Sequence, residues 1–398
     1  MRIAFVTPEF TTEAASFDGG LANYLLRVCL ALIELGHEPV VIVRSDRDET
    51  LTVQGIEVQR VKIEFNNWWV RFMQWRFGYK QNSTVEWKWI SLCLNRRLAA
   101  LRRHKSFDIV QYSSYVATGY YRIKSIPAVV RLSSYEPLLR EARGIIYPTL
   151  DHLNMEELER ESLCRADGIF GPSKLIGAAV QQEIGREVEL IETPFLMDAT
   201  NLDDSIYRQH VQGKPYFLCF GTISRIKGMD ILAQIIYDVL AKYPDHNFIF
   251  VGKDSDGIIP QLKQNAVELS DRLIFLEKMP HSQLYPIVQN AELVIMPSRV
   301  DNFPNTCLEA MAFKRVVIGT YGTSFEQLLV DGVSGLLCER ENPTDLLAAI
   351  ERGMSLSAEQ KASIGEKAYE RIQQLTPEKV VNQLIAYYSG IISAKSKH

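Results

Sequence analysis

Three short segments of the chain hold residue types and spacings suited to group-transfer chemistry. The most specific reads Ser298-Arg299-Val300-Asp301-Asn302-Phe303-Pro304-Asn305-Thr306-Cys307-Leu308-Glu309-Ala310. Pro304 suits the first turn of a helix, with Asn302 or Phe303 near the cap. Asp301 then stays on the loop and Glu309 lies more than a turn inside. One acid can reach past the helix mouth while the other flanks it. Amides around Asn305, Thr306, Cys307 and Leu308, unpaired at a helix start, would hold a phosphate between them. The alternative is a capping acid and a surface glutamate, a spacing that chance also produces.

The second segment, Phe220-Gly221-Thr222-Ile223-Ser224-Arg225-Ile226-Lys227-Gly228, presents two cations between a strand and a helix beginning near Met229. That position suits a pyrophosphate, neutralised by charge pairing and helix amides without a metal. Two solvated surface cations are the competing reading. The third segment is Asp18-Gly19-Gly20-Leu21-Ala22-Asn23-Tyr24. Its adjacent glycines let the backbone approach a phosphate at a helix N-terminus, although a tight turn also asks for glycine. It is not G-x-G-x-x-G, which disfavours a dinucleotide dehydrogenase.

The elements that must carry these loops follow from apolar periodicity. Short apolar runs alternate with longer stretches of helical period, the pattern of a helix-covered parallel sheet. Strands are expected at Ile3–Thr7, Pro39–Val43, Ile109–Tyr112, Ala128–Leu132, Gly168–Phe170 and Glu189–Ile191, with a helix over Ala22–Leu35. A second series runs Tyr216–Phe220, Phe248–Val251, Leu273–Leu276, Leu293–Met296 and Val316–Ile318. The expected division is a doubly wound domain over 1–195, a linker over 196–213, a second such domain over 214–375 and a terminal helical segment over 376–398. Two such α/β domains facing each other across a cleft hold ligands at the carboxyl ends of their strands.

Composition narrows the classes further. The 398 residues, 46% hydrophobic and 23% charged, suit a soluble multidomain protein. A formal charge of −4 gives no sign of a nucleic-acid binder. Six scattered cysteines beside apolar neighbours read as buried thiols in a reducing compartment, with no metal-ligand spacing. The first strand opens at once, leaving no room for a signal peptide, and no apolar run reaches the roughly 18 residues of a membrane span. A cytoplasmic protein is expected, either free or peripheral on the inner face of the membrane.

Together the three segments resemble the retaining glycosyltransferases of the GT-B fold, glycosyltransferase family 4. That family carries a glycine-rich first loop, a basic pair after the first strand of the second domain, and two acids separated by seven residues. The resemblance extends to Leu35-Gly36-His37-Glu38-Pro39-Val40 and Asp331-Gly332-Val333-Ser334-Gly335-Leu336-Leu337, and the second domain is the closer. It implies a nucleotide-diphosphate sugar, UDP-linked on family frequency, and a glycan or lipid-linked acceptor in polysaccharide or glycoconjugate synthesis. Glu309 would bind ribose hydroxyls and Asp301 the hydroxyls of the transferred sugar. Arg225 and Lys227 would stabilise the leaving diphosphate, and Gly19 and Gly20 would approach it from the other domain. Glu309 and Lys227 are expected as exposed cleft residues. No metal is implied, and the terminal helix Pro377–Ile392 would return to the first domain.

Three positions depart from the family pattern. Asp301 stands where glutamate is usual, Thr222 where arginine follows the loop glycine, and Ser133 where a histidine is usual on the acceptor side. Serine bonds a sugar hydroxyl but is no general base unaided. These departures keep open a sugar-nucleotide-binding accessory protein without catalysis, and a GT-B-like epimerase is a further alternative.

The first domain also concentrates all five tryptophans between Trp68 and Trp89. Residues 61–105 hold ten cations, Arg71, Arg76, Lys80 and Lys88 among them, against the acids Glu64 and Glu86. Aromatics among cations suit peripheral contact with an anionic membrane. A core or a sugar-binding wall with solvated cations is the alternative.

Overall fold

The run Ile3-Ala4-Phe5-Val6 is buried on both faces, as a central parallel strand covered by helices requires. The structure, a computed structural model, describes residues 1–11, 19–66, 68–77, 82–197 and 199–396, without the side chains of Trp69, Phe77 and Asn82. Asp18 and Lys80 lie outside the described residues. The chain divides into two units, one of Met1–Pro194 with Thr376–His398 and one of Phe195–Leu375.

The first unit is built on eight strands: β1 (Arg2–Thr7), β2 (Glu38–Ser45), β3 (Glu49–Val53), β4 (Ile56–Lys62), β5 (Ile109–Ser113), β6 (Ala128–Arg131), β7 (Gly168–Gly171) and β8 (Glu189–Leu190). Their order is β3-β4-β2-β1-β5-β6-β7-β8, parallel except for the β3–β4 pair. The expected list lacks that hairpin. Gln54 and Gly55, at φ 49° and 85°, form its two-residue turn, and both positive angles match the right-handed twist of the strands. Because β2 and β5 flank β1 on opposite sides, the strand order reverses there, and the loops after β1 and β5 leave from that point.

The second unit carries β9 (Tyr216–Phe220), β10 (Asn247–Val251), β11 (Leu273–Leu276), β12 (Leu293–Ile295), β13 (Val317–Thr320) and β14 (Leu336–Cys338). The order is β11-β10-β9-β12-β13-β14, all parallel, with the reversal between β9 and β12. Residues 196–213, expected as a linker, instead pack within this unit. Ser205–His210 is helical, Val211 is buried in the core, and the Phe195 amide donates to the Leu375 carbonyl at 2.7 Å. Burying Phe195 and Val211 holds the segment to the sheet although it has no long helical period.

Helix Pro377–Lys395 belongs to the first unit. Val381, Leu384 and Tyr388 sit in the same apolar cluster as Phe5 and Leu25, and Lys395 pairs with Asp167 at 2.6 Å. The expectation of six buried thiols fails at two positions: Cys164 is exposed and Cys93 half-buried. On helix Leu150–Arg165, Leu163 turns into the core and the next residue therefore faces outward. Among the described residues no helix is long and apolar enough to cross a membrane.

Candidate active site

The loop after β9 is pressed against two neighbouring loops, and glycine makes this approach feasible. Gly228 has φ 69°, and a Cβ there would lie 1.8 Å from the Pro297 carbonyl oxygen. Gly252, at φ 146°, would meet the Gly221 carbonyl at the same 1.8 Å. No side chain fits either place without moving backbone. Gly228 then caps helix Met229–Lys242, so Arg225 and Lys227 are held on a short turn at the sheet's reversal.

The two cations have different partners. The Arg225 amide donates to Asp256 Oδ2 at 2.7 Å, while its half-exposed guanidinium lies 3.4 Å from Asp230. Lys227 Nζ donates to the Asp301 carboxylate on the loop after β12. The structure thus brings together the basic pair and the first acid of the third segment.

The helix of that segment begins one residue later than expected. It spans Asn305–Ala312, and Pro304 is the cap, in extended backbone at φ −72° and ψ 108°. The Cys307 and Leu308 amides donate to the Pro304 carbonyl at 3.1 and 3.3 Å. Of the four expected phosphate donors, Asn305 and Thr306 therefore lead the helix. The Cys307 and Leu308 side chains are core, and burial pushes the Cys307 thiol well up. Asn305 Oδ1 is buried with no hydrogen-bond partner among the described residues. Glu309 is not an exposed cleft residue. It is only 5% exposed, because this helix packs into the core along most of its length, and its Oε1 lies 3.4 Å from His281 Nε2. Lys227 is likewise partly covered.

One buried side chain that motif reading passes over ties the loops together. Arg299 donates to both Asp230 oxygens at 2.6 and 3.0 Å, to Glu341 at 2.7 Å and to the Arg225 carbonyl at 2.5 Å. Its own amide donates to the Ile226 carbonyl at 2.8 Å. Ser324 Oγ fixes the other side of the acid loop by donating to the Asp301 carbonyl at 2.5 Å. His281 was also missed, and its ring stacks on Tyr285 with centroids 5.2 Å apart. The only sequence signal for Arg299 is its place two residues before Asp301. Its partner Asp230 looks like any acid in a first helical turn. Among the described residues, no three His, Cys, Asp or Glu side chains gather as a metal-binding group.

In the first unit, Gly19 caps helix Gly20–Glu34. A Cβ at Gly19 would lie 2.7 Å from Glu9 Oε1. Burial raises the pKa of Glu9, opposed by hydrogen bonds from the Ala22 and Leu21 amides. The helix end expected to meet a phosphate thus already meets a carboxyl group. Ser133 lies just beyond β6, its Oγ 2.8 Å from Ser113 Oγ, and its amide donates to Ser114 Oγ at 3.1 Å. The turn after β5 holds Val116 at φ 65°, a strained angle for a β-branched residue. Thr118 Oγ1 lies 3.0 Å from both the Val6 and Ser113 carbonyl oxygens, accepts from the Ser113 amide at 2.9 Å, and so holds that turn in place.

The family model described as glycosyl transferases group 1 matches residues 214–355, and the glycosyl transferase 4-like domain matches residues 19–193. Phosphatidyl-myo-inositol mannosyltransferase of Mycolicibacterium smegmatis is 23% identical over 100% of this chain and 96% of its own. The first curated relatives, 26% to 28% identical, are matched over only 42% to 43% of their own length. Sucrose-phosphate synthase from Thermosynechococcus elongatus superposes with a TM-score of 0.78 at 17% identity, covering 99% of both chains. The trehalose-6-phosphate structure from E. coli bound with UDP-2-fluoro glucose gives 0.68 at 12% identity over 98% of this chain and 99% of that one. These structural likenesses establish the GT-B fold.

Proposed function

The chain belongs to the glycosyl transferases group 1 family, and from that premise we propose that it transfers a sugar from a nucleotide diphosphate to an acceptor hydroxyl. The observation that carries this reading is the junction at the reversal of the second sheet. There, two cations and the leading amides of helix Asn305–Ala312 stand beside an acid loop.

In this reading Arg225 and Lys227 pair with the diphosphate, and the Asn305 and Thr306 amides add donors to it. Lys227 exchanges the Asp301 carboxylate for a phosphate, so a partly buried cation keeps a negative partner throughout. Asp301 then accepts from sugar hydroxyls, and Glu309, oriented by His281, from ribose hydroxyls. The bond from the anomeric carbon to the phosphate oxygen breaks as the acceptor oxygen bonds to the same face, retaining configuration. The acceptor's proton passes to the departing diphosphate. Stabilising the charge that builds on that leaving group supplies most of the rate enhancement. Ser133, already bonded to Ser113, orients an acceptor hydroxyl and takes no proton.

UDP is the proposed nucleotide of the donor, supported by the UDP sugar in one structure of the same fold. A glycan or lipid-linked acceptor is supported by the phosphatidyl-inositol acceptor in the name of the mannosyltransferase that matches throughout its length. Membrane contact through residues 61–105 accompanies the lipid-linked version. The test is thermal unfolding against a panel of UDP-, GDP- and ADP-sugars, with slow donor hydrolysis followed in parallel. A selective rise in melting temperature with hydrolysis supports transfer. A rise without hydrolysis or transfer favours the accessory-protein reading, and no response to any donor overturns both.

A further inference from the structure

The Glu309 side chain is buried, yet it accepts no hydrogen bond among the described residues. Its charged neighbour there is His281, whose Nε2 stands 3.4 Å from Oε1, at ion-pair rather than hydrogen-bond distance. An ionised carboxylate offers about four acceptor positions on its two oxygens, so most of that capacity is open. Keeping such a group in the interior short of donors is costly. A ligand with two adjacent hydroxyls would supply them.

The imidazole that faces Glu309 is braced from two sides. His281 opens helix His281–Gln289, and its ring stacks on Tyr285, one turn along, with planes at 26°. Tyr285 is core and meets Phe313 edge-on, with centroids 5.2 Å apart, just past the end of helix Asn305–Ala312 that carries Glu309. On the other side, the Asp203 amide donates to the Ser282 carbonyl at 2.9 Å. Gln283 Nε2 donates to Asp203 Oδ2, also at 2.9 Å. The segment before β9 thus ties down the first turn of the helix that presents His281.

We propose that His281 is a positioning residue that makes the site select ribonucleotides over 2′-deoxynucleotides. By holding Oε1 from one side, it fixes the plane of the Glu309 carboxylate, so that both oxygens meet neighbouring hydroxyls of one ribose. A carboxylate free to turn would meet them one at a time. A 2′-deoxyribose offers a single hydroxyl and leaves part of a buried charge unpaired, the situation in which a polar site discriminates most strongly. The inference rests on the assignment of Glu309 to the ribose and extends it to a residue outside the motif.

Calorimetric titration of UDP and 2′-deoxy-UDP into the full chain reads the selectivity as a ratio of affinities, with the GDP and ADP pairs run alongside. Wild type should prefer the ribonucleotide by at least about tenfold. His281→Phe keeps a ring on Tyr285 and removes the nitrogen. Its ratio should fall below about threefold, through lost UDP affinity with 2′-deoxy-UDP nearly unchanged. His281→Gln returns an N–H donor near the place of Nε2 and should restore the preference. Melting temperatures without ligand should stay close to wild type, because the His281 side chain is 44% exposed. A merely structural role would weaken both nucleotides alike; a ratio unchanged in His281→Phe therefore overturns the proposal. Equal affinity of wild type for the two nucleotides overturns it together with the ribose assignment of Glu309. If none of the three pairs binds, the transferase reading fails and takes this inference with it. Ribonucleotide binding with a ratio indifferent to His281 sinks the inference alone.

Discussion

Lys227, on the loop after β9, donates its ammonium to the carboxylate of Asp301, on the loop after β12, across the strand-order reversal of the second sheet. The two residues lie 74 positions apart in the chain and meet because β9 and β12 are sheet neighbours. The pair is only partly exposed, so either member left alone would be a poorly solvated charge. In the proposed reaction, an incoming diphosphate that takes Lys227 would free Asp301 as a sugar arrives to receive it.

Arg299 should matter to the fold of the second unit more than any other site arginine. Its buried guanidinium holds Asp230, Glu341 and the Arg225 carbonyl at once. Arg299→Leu should destabilise by about 3–5 kcal/mol, because it leaves Asp230 without its closest cation. Arg299→Lys should lose less, keeping the charge but not the bidentate geometry. Because every tryptophan lies in the first unit, calorimetry is the suitable readout. A melting temperature unchanged by Arg299→Leu would contradict the role assigned here.

Gly228→Ala should fail for backbone reasons. At φ 69° a side chain carries about 1–3 kcal/mol of strain, and its Cβ would collide with the Pro297 carbonyl. Loss of nucleotide binding together with a lower melting temperature is the expected result. Wild-type behaviour in both would show that the two loops are not held together as described.

The first unit should lose stability as pH rises from 4.5 to about 8. Burial pushes the Glu159 carboxyl up from 4.5 to about 8, with Glu136 adding to the shift and the Glu136 amide opposing it. Between those values the folded chain keeps a proton that the unfolded chain releases, so stability falls across that window as pH rises. Glu159→Gln keeps an acceptor for the Glu136 amide and removes the titration. The variant should match wild type near about pH 5 and exceed it near about pH 8.5. Tryptophan fluorescence in urea isolates this unit, and parallel pH curves would contradict the assignment.

Much of the architecture was legible because β-runs and helical periods alternate strongly, as at Ile3–Val6 and Phe248–Val251. The β3–β4 hairpin escaped because Glu49-Thr50-Leu51-Thr52-Val53 is short and only half apolar, although Gln54-Gly55 was a usable turn signal. Glycines and charges marked the site loops. Burial of Glu309 and the reach of Arg299 to Asp230 were invisible, because both depend on partners far away in the chain. The tryptophan cluster was ambiguous for a related reason. Among the described residues of helix Trp68–Phe77, the burial of Val70 shows which side faces inward.

Catalysis should survive chelation. In the proposed reaction Arg225, Lys227 and the helix amides neutralise the diphosphate, so donor turnover in EDTA should stay within about twofold of the untreated rate. Abolition by EDTA with restoration by magnesium or manganese would contradict that electrostatic account.

Calorimetric titration of UDP into wild type, Lys227→Ala and Glu309→Gln tests the donor site most directly. Glu309→Gln preserves volume at a buried position, so its effect reports binding rather than a cavity. Each substitution should weaken UDP by about 1.5–3 kcal/mol, roughly ten- to 150-fold, while without ligand Glu309→Gln melts close to wild type and Lys227→Ala somewhat lower, because it leaves Asp301 unpaired. UDP affinity equal to wild type in both variants would contradict the assignment of the β9–β12 junction as the nucleotide-sugar site.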